Sequence, residues 1–257
     1  MSFFDIGRPT LLWATVVLHL GIYYIGKLLL FRARIVVYGQ ERIRHFCGNA
    51  IFAANHANEF DPVVLCLALD EAHSLFRRIP IIFLTREKEF YSDMGWIKAT
   101  LYGGILFRLL GAYPVTPKKE RATASLRQNR ITTHLSLLKL GFSVFIFPEG
   151  TRTSTGKLLP AKPGVAILSE QANRPIIPVA IEGTFGLSFA DFLSGKKHVR
   201  VVFGKPIFPM SQMTAVHLNF PDKNLLYQTK AQFVMHCIQQ MLCAPKRTPL
   251  EKGPRIA

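Results

Sequence analysis

Cysteine is scarce in this sequence, and its few cysteines do not form a recognised pattern. They are Cys47, Cys66, Cys237 and Cys243. Structural zinc sites usually take closely spaced cysteine pairs, and disulfide frameworks are typical of small, cysteine-dense secreted domains. The sequence therefore implies no zinc site and no disulfide framework, and it predicts free thiols in a reducing compartment.

Acidic residues are also few compared with basic ones. The chain has 16 Asp and Glu against 32 Lys and Arg, a formal net charge of +16, and 49% hydrophobic residues. A chain that is both basic and apolar suits an anionic phospholipid surface, so we expect a membrane surface as a partner. The basic residues are dispersed and accompany no nucleic-acid-binding motif. We therefore expect no nucleic-acid partner.

No internal repeat interrupts the alternation of strand and helix patterns along the chain. Predicted strands cover 34–38, 51–54, 79–84, 111–115, 143–147, 176–181 and 198–203, and predicted helices begin at Asp61 and cover 123–140, 165–172 and 225–242. Such alternation is typical of α/β proteins, and 257 residues can form one domain. We predict an α/β fold with a mostly parallel or mixed sheet flanked by helices.

The most hydrophobic segment covers residues 11–31, and only His19 and Lys27 interrupt it. It is long enough to span a bilayer, and no small-residue cleavage site follows it. Arg32 and Arg34 follow directly, so the positive-inside rule predicts that the rest of the chain lies on the cytoplasmic side. A monotopic arrangement and a buried core helix remain alternatives to a spanning one. We divide the chain into a membrane-associated helical segment (1–31), one catalytic domain (32–243) and a flexible tail (244–257).

One stretch combines a strand, a loop and a helix start around His56. Asp61 followed by Pro62 predicts the first residues of a helix. The short loop before it can bring His56 within hydrogen-bonding reach of the Asp61 carboxylate. An imidazole held in this way can take a proton from a hydroxyl, so His56 is a candidate general base and Asp61 its orienting partner.

A second polar group follows a predicted strand, at Glu149, Gly150, Thr151 and Arg152. In open α/β sheets, ligands bind beyond the carboxyl ends of strands. Arg152 offers a planar set of donors to a phosphate, and Glu149 can orient the arginine or accept a hydrogen bond from a hydroxyl.

The blocks NHANEFD around His56 and FPEGTR from Phe147 to Arg152 resemble the signature blocks of the glycerolipid acyltransferases, which include the 1-acylglycerol-3-phosphate acyltransferases. Two further blocks follow in the family's order, a Gly-rich stretch over 103–115 and IIPVAIEGT over 176–184. The resemblance covers about residues 35–209. It implies that Glu149 and Arg152, with Gly150 and Thr151 shaping the loop, hold a phosphate-bearing acceptor.

The Gly-rich block departs from the family pattern, because no arginine occupies the family's place after Gly111 to Val115. This leaves Lys118, Lys119 or Arg121 as the candidate phosphate contact. A solvated basic loop that faces anionic lipid is the alternative for these three residues.

The resemblance implies transfer of an acyl group from a thioester to the free hydroxyl of a lysophospholipid acceptor, 1-acylglycerol 3-phosphate, giving phosphatidic acid. No metal or cofactor is required, and acyl-coenzyme A or acyl-acyl carrier protein is the co-substrate. Direct transfer is the simpler scheme, although Cys66 or Cys47 could in principle carry a covalent intermediate. The alternatives are acylation of another lysolipid, including a lyso-aminolipid, and a non-catalytic basic protein that binds membranes or nucleic acid.

Overall fold

The computed structural model describes residues 16–18, 20–21, 23–24, 28, 34–44, 48–71, 82–85, 112–114, 131–195, 197–209 and 223–244. The strands are β1 (Arg34–Tyr38), β2 (Ile51–Ala54), β3 (Ile82–Thr85), β4 (Ala112–Pro114), β5 (Val144–Ile146), β6 (Ile176–Glu182) and β7 (His198–Phe203). The helices are α1 (Glu41–Arg44), α2 (Asp61–Glu71), α3 (Thr132–Lys139), α4 (Gly164–Ala172), α5 (Phe189–Ser194) and α6 (Lys223–Cys243).

The seven strands form one mixed sheet in the order β1-β7-β6-β2-β5-β3-β4. Neighbouring strands are parallel except β6 and β7, which are antiparallel. The predicted α/β class and mixed sheet are therefore confirmed. Because β2, β5 and β6 are adjacent and parallel, the residues that follow them emerge at the same edge of the sheet.

Strand β2 lies in the middle of the sheet, and all four of its residues are buried. An unbroken apolar run of this kind is expected where helices cover both faces of a sheet. Phe52 points to the face covered by α2, where its ring stacks on Phe145 with the centroids 4.7 Å apart. Ile51 points to the opposite face, which α3, α4 and α6 cover. This packing fixes the strand ends from which the polar loops extend.

Most element boundaries differ little from the predicted ones. Strand β3 pairs over Ile82–Thr85, at the end of the run predicted for 79–84. Two short helices, α1 and α5, were not predicted, because each has too few residues for a helical period to be read. Helix α5 depends on a local contact, since Ser188 Oγ accepts a hydrogen bond from the Asp191 N–H at 3.1 Å.

Several predictions fall outside the described residues: the Gly-rich block before Ala112, the loop with Lys118, Lys119 and Arg121, Cys47, and the tail after residue 244. In the segment 11–31 only residues 16–18, 20–21, 23–24 and 28 are described, and these are helical. Among the residues that the structure describes, no helix has both the length and the apolar character needed to cross a membrane.

Candidate active site

His56 and Asp61, the candidate base and its candidate orienting partner, lie in hydrogen-bonding contact, as the sequence predicted. His56 follows β2, and Asp61 is the first residue of α2 and is completely buried. The His56 Nδ1–H donates to Asp61 Oδ2 at 2.8 Å. The same carboxylate oxygen accepts from the N–H groups of Ala57 at 2.7 Å and Asn58 at 2.8 Å. Asp61 therefore shapes the loop and holds the imidazole at the same time.

The contact with Asp61 determines which ring nitrogen of His56 can act as a base. A carboxylate only accepts hydrogen bonds, so Nδ1 carries the proton and Nε2 is left to accept one. The ring also stacks on Phe147, with centroids 4.0 Å apart and planes 14° apart. Two contacts thus fix the imidazole plane, and the side chain remains 18% exposed.

Glu149 follows β5, as the sequence predicted, but its hydrogen-bond partners differ from the expected one. It is only 2% exposed, and its Oε1 accepts from the His56 N–H while its Oε2 accepts from the Leu159 N–H, both at 2.8 Å. The prediction that Glu149 orients Arg152 is corrected, because its two oxygens are used to join the loop after β5 to the loop of the base. Burial raises the pKa of the Glu149 carboxyl, although both N–H bonds act in the opposite direction.

Arg152 lies beside the loop of the base. The Thr153 N–H donates to the His56 carbonyl at 3.0 Å, which holds the two loops together. The Arg152 guanidinium is 3.4 Å from Glu59 Oε2, and the two side chains are 43% and 46% exposed. Arg152 is therefore accessible to an anion next to His56, and Thr151 is exposed beside it.

Gly150 is favoured by its left-handed backbone, and the side chain of Lys162 lies against it. It has a φ of +68°, and a Cβ atom placed on it would lie 2.5 Å from Lys162 Nζ. The Lys162 N–H also donates to the Pro148 carbonyl at 2.8 Å, which fixes the chain at this point. The lysine ammonium thus lies against the loop that carries Arg152.

Three residues next to His56 and Arg152 were not predicted from the sequence: Asn58, Glu59 and Lys162. Asn58 Nδ2 donates to the carbonyls of Thr184 at 2.8 Å and Leu187 at 2.9 Å, which ties the loop of the base to the turn after β6. Glu59 and Asn58 lie within the NHANEFD block, so their spacing from His56 was the available signal. Lys162 gives no such signal, because only the return of the chain to Pro148 brings it here.

A cleft of about 380 Å³ opens next to His56, between the loop after β5 and the turn after β6. Its apolar walls include Leu158, Ile181, Phe185 and Leu242. Neither Arg152 nor Glu59 lines it. The base therefore has an accessible charged pair close to it and a separate, largely apolar cleft.

The cysteines of the described region are free thiols: Cys66, Cys237 and Cys243. Burial raises the pKa of Cys66 to about 12. A thiol with that pKa stays protonated at neutral pH and is a poor nucleophile. This argues for direct transfer rather than a covalent route through Cys66. Among the described residues, no three His, Cys, Asp or Glu side chains are grouped to hold a metal ion.

Comparisons with known proteins place this site in a family. A family model described as Acyltransferase matches residues 34–182. The 1-acyl-sn-glycerol-3-phosphate acyltransferase of Bacillus subtilis is 26% identical over 70% of this chain and 77% of its own. The chloroplastic enzyme of Brassica napus with the same activity in its name is 26% identical over 56% of this chain and 41% of its own, and that of Salmonella typhimurium is 27% identical over 53% and 48%.

The chain thus spans about half the length of the first curated relatives that it matches. The fold is similar to the crystal structure of the 1-acyl-sn-glycerophosphate (LPA) acyltransferase PlsC from Thermotoga maritima, with a TM-score of 0.52 and 20% sequence identity over 90% of this chain and 81% of that one. Since the family model covers more than half of the chain and includes both His56 and Arg152, the chain belongs to the acyltransferase family.

Proposed function

We propose that this protein transfers a fatty acyl group from an acyl thioester to the free hydroxyl of 1-acylglycerol 3-phosphate, giving phosphatidic acid. The observation that carries the proposal is the 2.8 Å contact between His56 and Asp61, with Arg152 on the adjoining loop. The curated relatives support it, because their names specify this activity.

The chemistry follows from the tautomer of His56. Nε2 takes the proton of the acceptor hydroxyl as the oxygen attacks the thioester carbonyl, and Asp61 stabilises the imidazolium that forms. The carbon–sulfur bond then breaks, and the imidazolium returns its proton to the thiolate that leaves. An ester and a free thiol result, and no metal or cofactor takes part.

The acceptor phosphate is placed at Arg152. A guanidinium matches a phosphate with two parallel N–H donors, and the exposed Arg152 has donors beyond the one directed at Glu59. Gly150 and Thr151 shape the backbone next to it. Lys118, Lys119 and Arg121 stay in the proposal as additional phosphate contacts.

The remaining parts of the proposal concern location and donor. The lysophospholipid acceptor lies in a membrane, so the protein works at a phospholipid surface, with the catalytic domain on the cytoplasmic side. The donor is acyl-coenzyme A or acyl-acyl carrier protein.

A second acceptor class is favoured by Glu59. Its half-exposed carboxylate lies 3.4 Å from Arg152 and would attract an ammonium group. A lysolipid whose headgroup carries an amine, such as a lyso-aminolipid, is therefore the alternative acceptor.

The experiment offers a labelled acyl thioester to the purified protein with a panel of lysolipids. We expect acylation of 1-acylglycerol 3-phosphate, and we expect His56→Ala to lower the rate by about 10²–10⁴, the usual contribution of a positioned base. His236→Ala is the matched control, because His236 is exposed on α6 and contacts Gln240. A His56→Ala variant that keeps more than about a tenth of the parental rate would contradict the assignment.

A further inference from the structure

The positive charge of Arg152 is offset by its neighbour. The Arg152 guanidinium lies 3.4 Å from Glu59 Oε2, and the two side chains are exposed to a similar extent. A ligand that approaches from solvent therefore meets a pair of opposite charges. The acceptor assigned to this place is a phosphate monoester, which carries about 1.5 to 2 negative charges at pH 7. Firm binding of such a group requires a second cation beside the pair.

Lys162 places a cation on the same loop. Its N–H donates to the Pro148 carbonyl at 2.8 Å, which brings the chain back to the start of the loop after β5. Its side chain lies over Gly150, with Nζ 2.5 Å, and Cδ and Cε 3.0 Å, from the position of a Cβ atom built on that glycine. A side chain at position 150 would compete for this path. The ammonium thus lies on the loop two residues before Arg152.

The other carboxylates at this place are directed into the protein. Glu149 is 2% exposed, and its two oxygens accept from the N–H groups of His56 and Leu159. Asp61 is completely buried and binds the His56 ring. Lys162 and Arg152, in contrast, are exposed. An anion at this loop can therefore contact both cations, with Glu59 as the exposed carboxylate beside them.

We propose that Lys162 is a second contact for the acceptor phosphate and selects a phosphate monoester over a phosphodiester headgroup. Arg152 offers a planar set of donors to the phosphate oxygens, and Lys162 adds a compact point charge. A diester carries one negative charge, which Arg152 matches alone. The proposal rests on the proposed function in placing the acceptor phosphate at Arg152, and it adds the residue that discriminates between headgroups.

Steady-state kinetics on two acceptors test the proposal. They are 1-acylglycerol 3-phosphate, a monoester, and 1-acylglycerol 3-phosphoglycerol, a diester with the same acyl chain, in the same detergent micelles. We expect Lys162→Met to raise KM for the monoester by about three- to tenfold and to change KM for the diester by less than about twofold. Lys162→Arg keeps the charge and should keep most of the preference. Lys205→Met is the matched control, because Lys205 is exposed after β7, at the opposite edge of the sheet.

The pH dependence separates a phosphate contact from a structural role. A monoester loses its second charge below its second pKa of about 6, whereas a diester keeps its single charge. The ratio of KM values for the monoester, Lys162→Met over parent, should therefore shrink between about pH 8 and about pH 5. Protonation of His56 lowers kcat in both proteins alike, so only the KM ratio is compared. A ratio that stays constant with pH, or an equal rise in KM for both acceptors, would overturn the proposal.

Gly150→Ala tests the geometry independently. A Cβ atom at this position displaces the Lys162 ammonium, so the variant should lose the preference for the monoester as Lys162→Met does. In the Lys162→Met background, Gly150→Ala should leave the remaining ratio of the two KM values unchanged. A further loss of preference in the double variant would show that the loop, and not the lysine, sets the preference.

Direct binding distinguishes failure of this proposal from failure of the proposed function. The probes are octyl phosphate and its methyl diester, which have no hydroxyl to acylate, measured by calorimetry on the full-length protein. The parent should bind the monoester more tightly, and Lys162→Met should remove the difference. If the parent does so but acylates no 1-acylglycerol 3-phosphate, the proposed function fails and the assignment of Lys162 stands. If the parent binds the two probes equally, or Lys162→Met keeps the difference, the assignment of Lys162 fails.

Discussion

Two buried carboxylates, those of Asp61 and Glu149, hold the loop that carries His56. Asp61 binds the His56 ring and two N–H groups that follow it, and Glu149 binds the His56 N–H itself. Both carboxylates use protein donors that would otherwise be left unpaired in the loop. The position of the imidazole therefore depends on residues from both signature blocks, which explains why neither block alone makes a site.

Glu149→Gln should change both activity and the pH dependence of stability. Glutamine presents an NH₂ group to one of the two N–H donors, so one hydrogen bond is lost and activity should fall by about tenfold.

Because burial raises the pKa of Glu149 above 4.5, the folded state favours the protonated acid. The contribution of Glu149 to the free energy of unfolding is therefore fully present below its unfolded-state pKa, and it is lost as the pH rises through its folded-state pKa. Urea unfolding between about pH 4 and 7 should show this decline in the parent and not in the variant.

The control for that experiment is Glu41→Gln, whose carboxylate is 71% exposed on α1. The stability of this variant should decline with rising pH as that of the parent does. Parallel stability curves for the parent and Glu149→Gln would mean that Glu149 is not the group responsible.

Arg152→Lys should weaken the acceptor and not the donor. Lysine keeps the charge but loses the two-pronged geometry that matches a phosphate. A charge-assisted hydrogen bond is worth about 1.5–3 kcal/mol, so kcat/KM toward 1-acylglycerol 3-phosphate should fall by about tenfold or more. Steady-state kinetics with that acceptor and with a phosphate-free lysolipid measure the difference. An equal loss on both acceptors would move Arg152 to a structural role.

The turn after β6 joins the sheet to the cleft, and Gly183 is the position where a side chain cannot fit. Gly183 has a φ of +91°, and a Cβ atom would lie 2.4 Å from the His198 carbonyl oxygen. Gly186 also has a positive φ, +64°, but nothing lies within 4 Å of its Cβ position. Gly186→Ala should therefore cost about 1–2 kcal/mol for the left-handed backbone alone. Gly183→Ala should cost about 1–3 kcal/mol more, because the clash is with backbone.

Urea unfolding of the two glycine variants measures that difference. Equal stability losses would show that the backbone conformation, and not the clash, sets the requirement for glycine at 183.

The elements that the sequence predicted best are those whose burial leaves a clear pattern. Strands β1 and β7 and helix α4 have boundaries that match the predicted runs. The order of strands in the sheet could not be read in this way, because it depends on contacts between distant segments. The reversal of β7 against β6 is such a case.

The same distinction applies to the site. The contact between His56 and Asp61 is local, five residues apart, so the helix start and the loop length predicted it. The partners of Glu149 were not predicted, because His56 lies 93 residues before it and meets it only when β2 and β5 pair.

At the scale of the whole molecule, charge and apolar surface act together. The net charge of +16 favours an anionic surface, but attraction between charges is screened by salt. Apolar insertion is not screened in this way. The contributions of charge and of apolar insertion to the proposed membrane binding can therefore be separated by changing the salt concentration and the pH.

We expect the full-length protein to stay with membranes in high salt and in alkaline carbonate, and to be released by detergent. Val17, Tyr24 and Leu28 are exposed by 65%, 59% and 74%, and their spacing in the sequence, seven and four residues, is typical of one face of a helix. Replacing all three with lysine should allow carbonate to extract the protein, because charged side chains oppose insertion. Lysine at Leu140 and Leu225, exposed by 64% and 60% outside that segment, is the control and should leave the protein in the pellet. If carbonate strips the parent as well, the segment is not inserted and charge alone holds the protein at the surface.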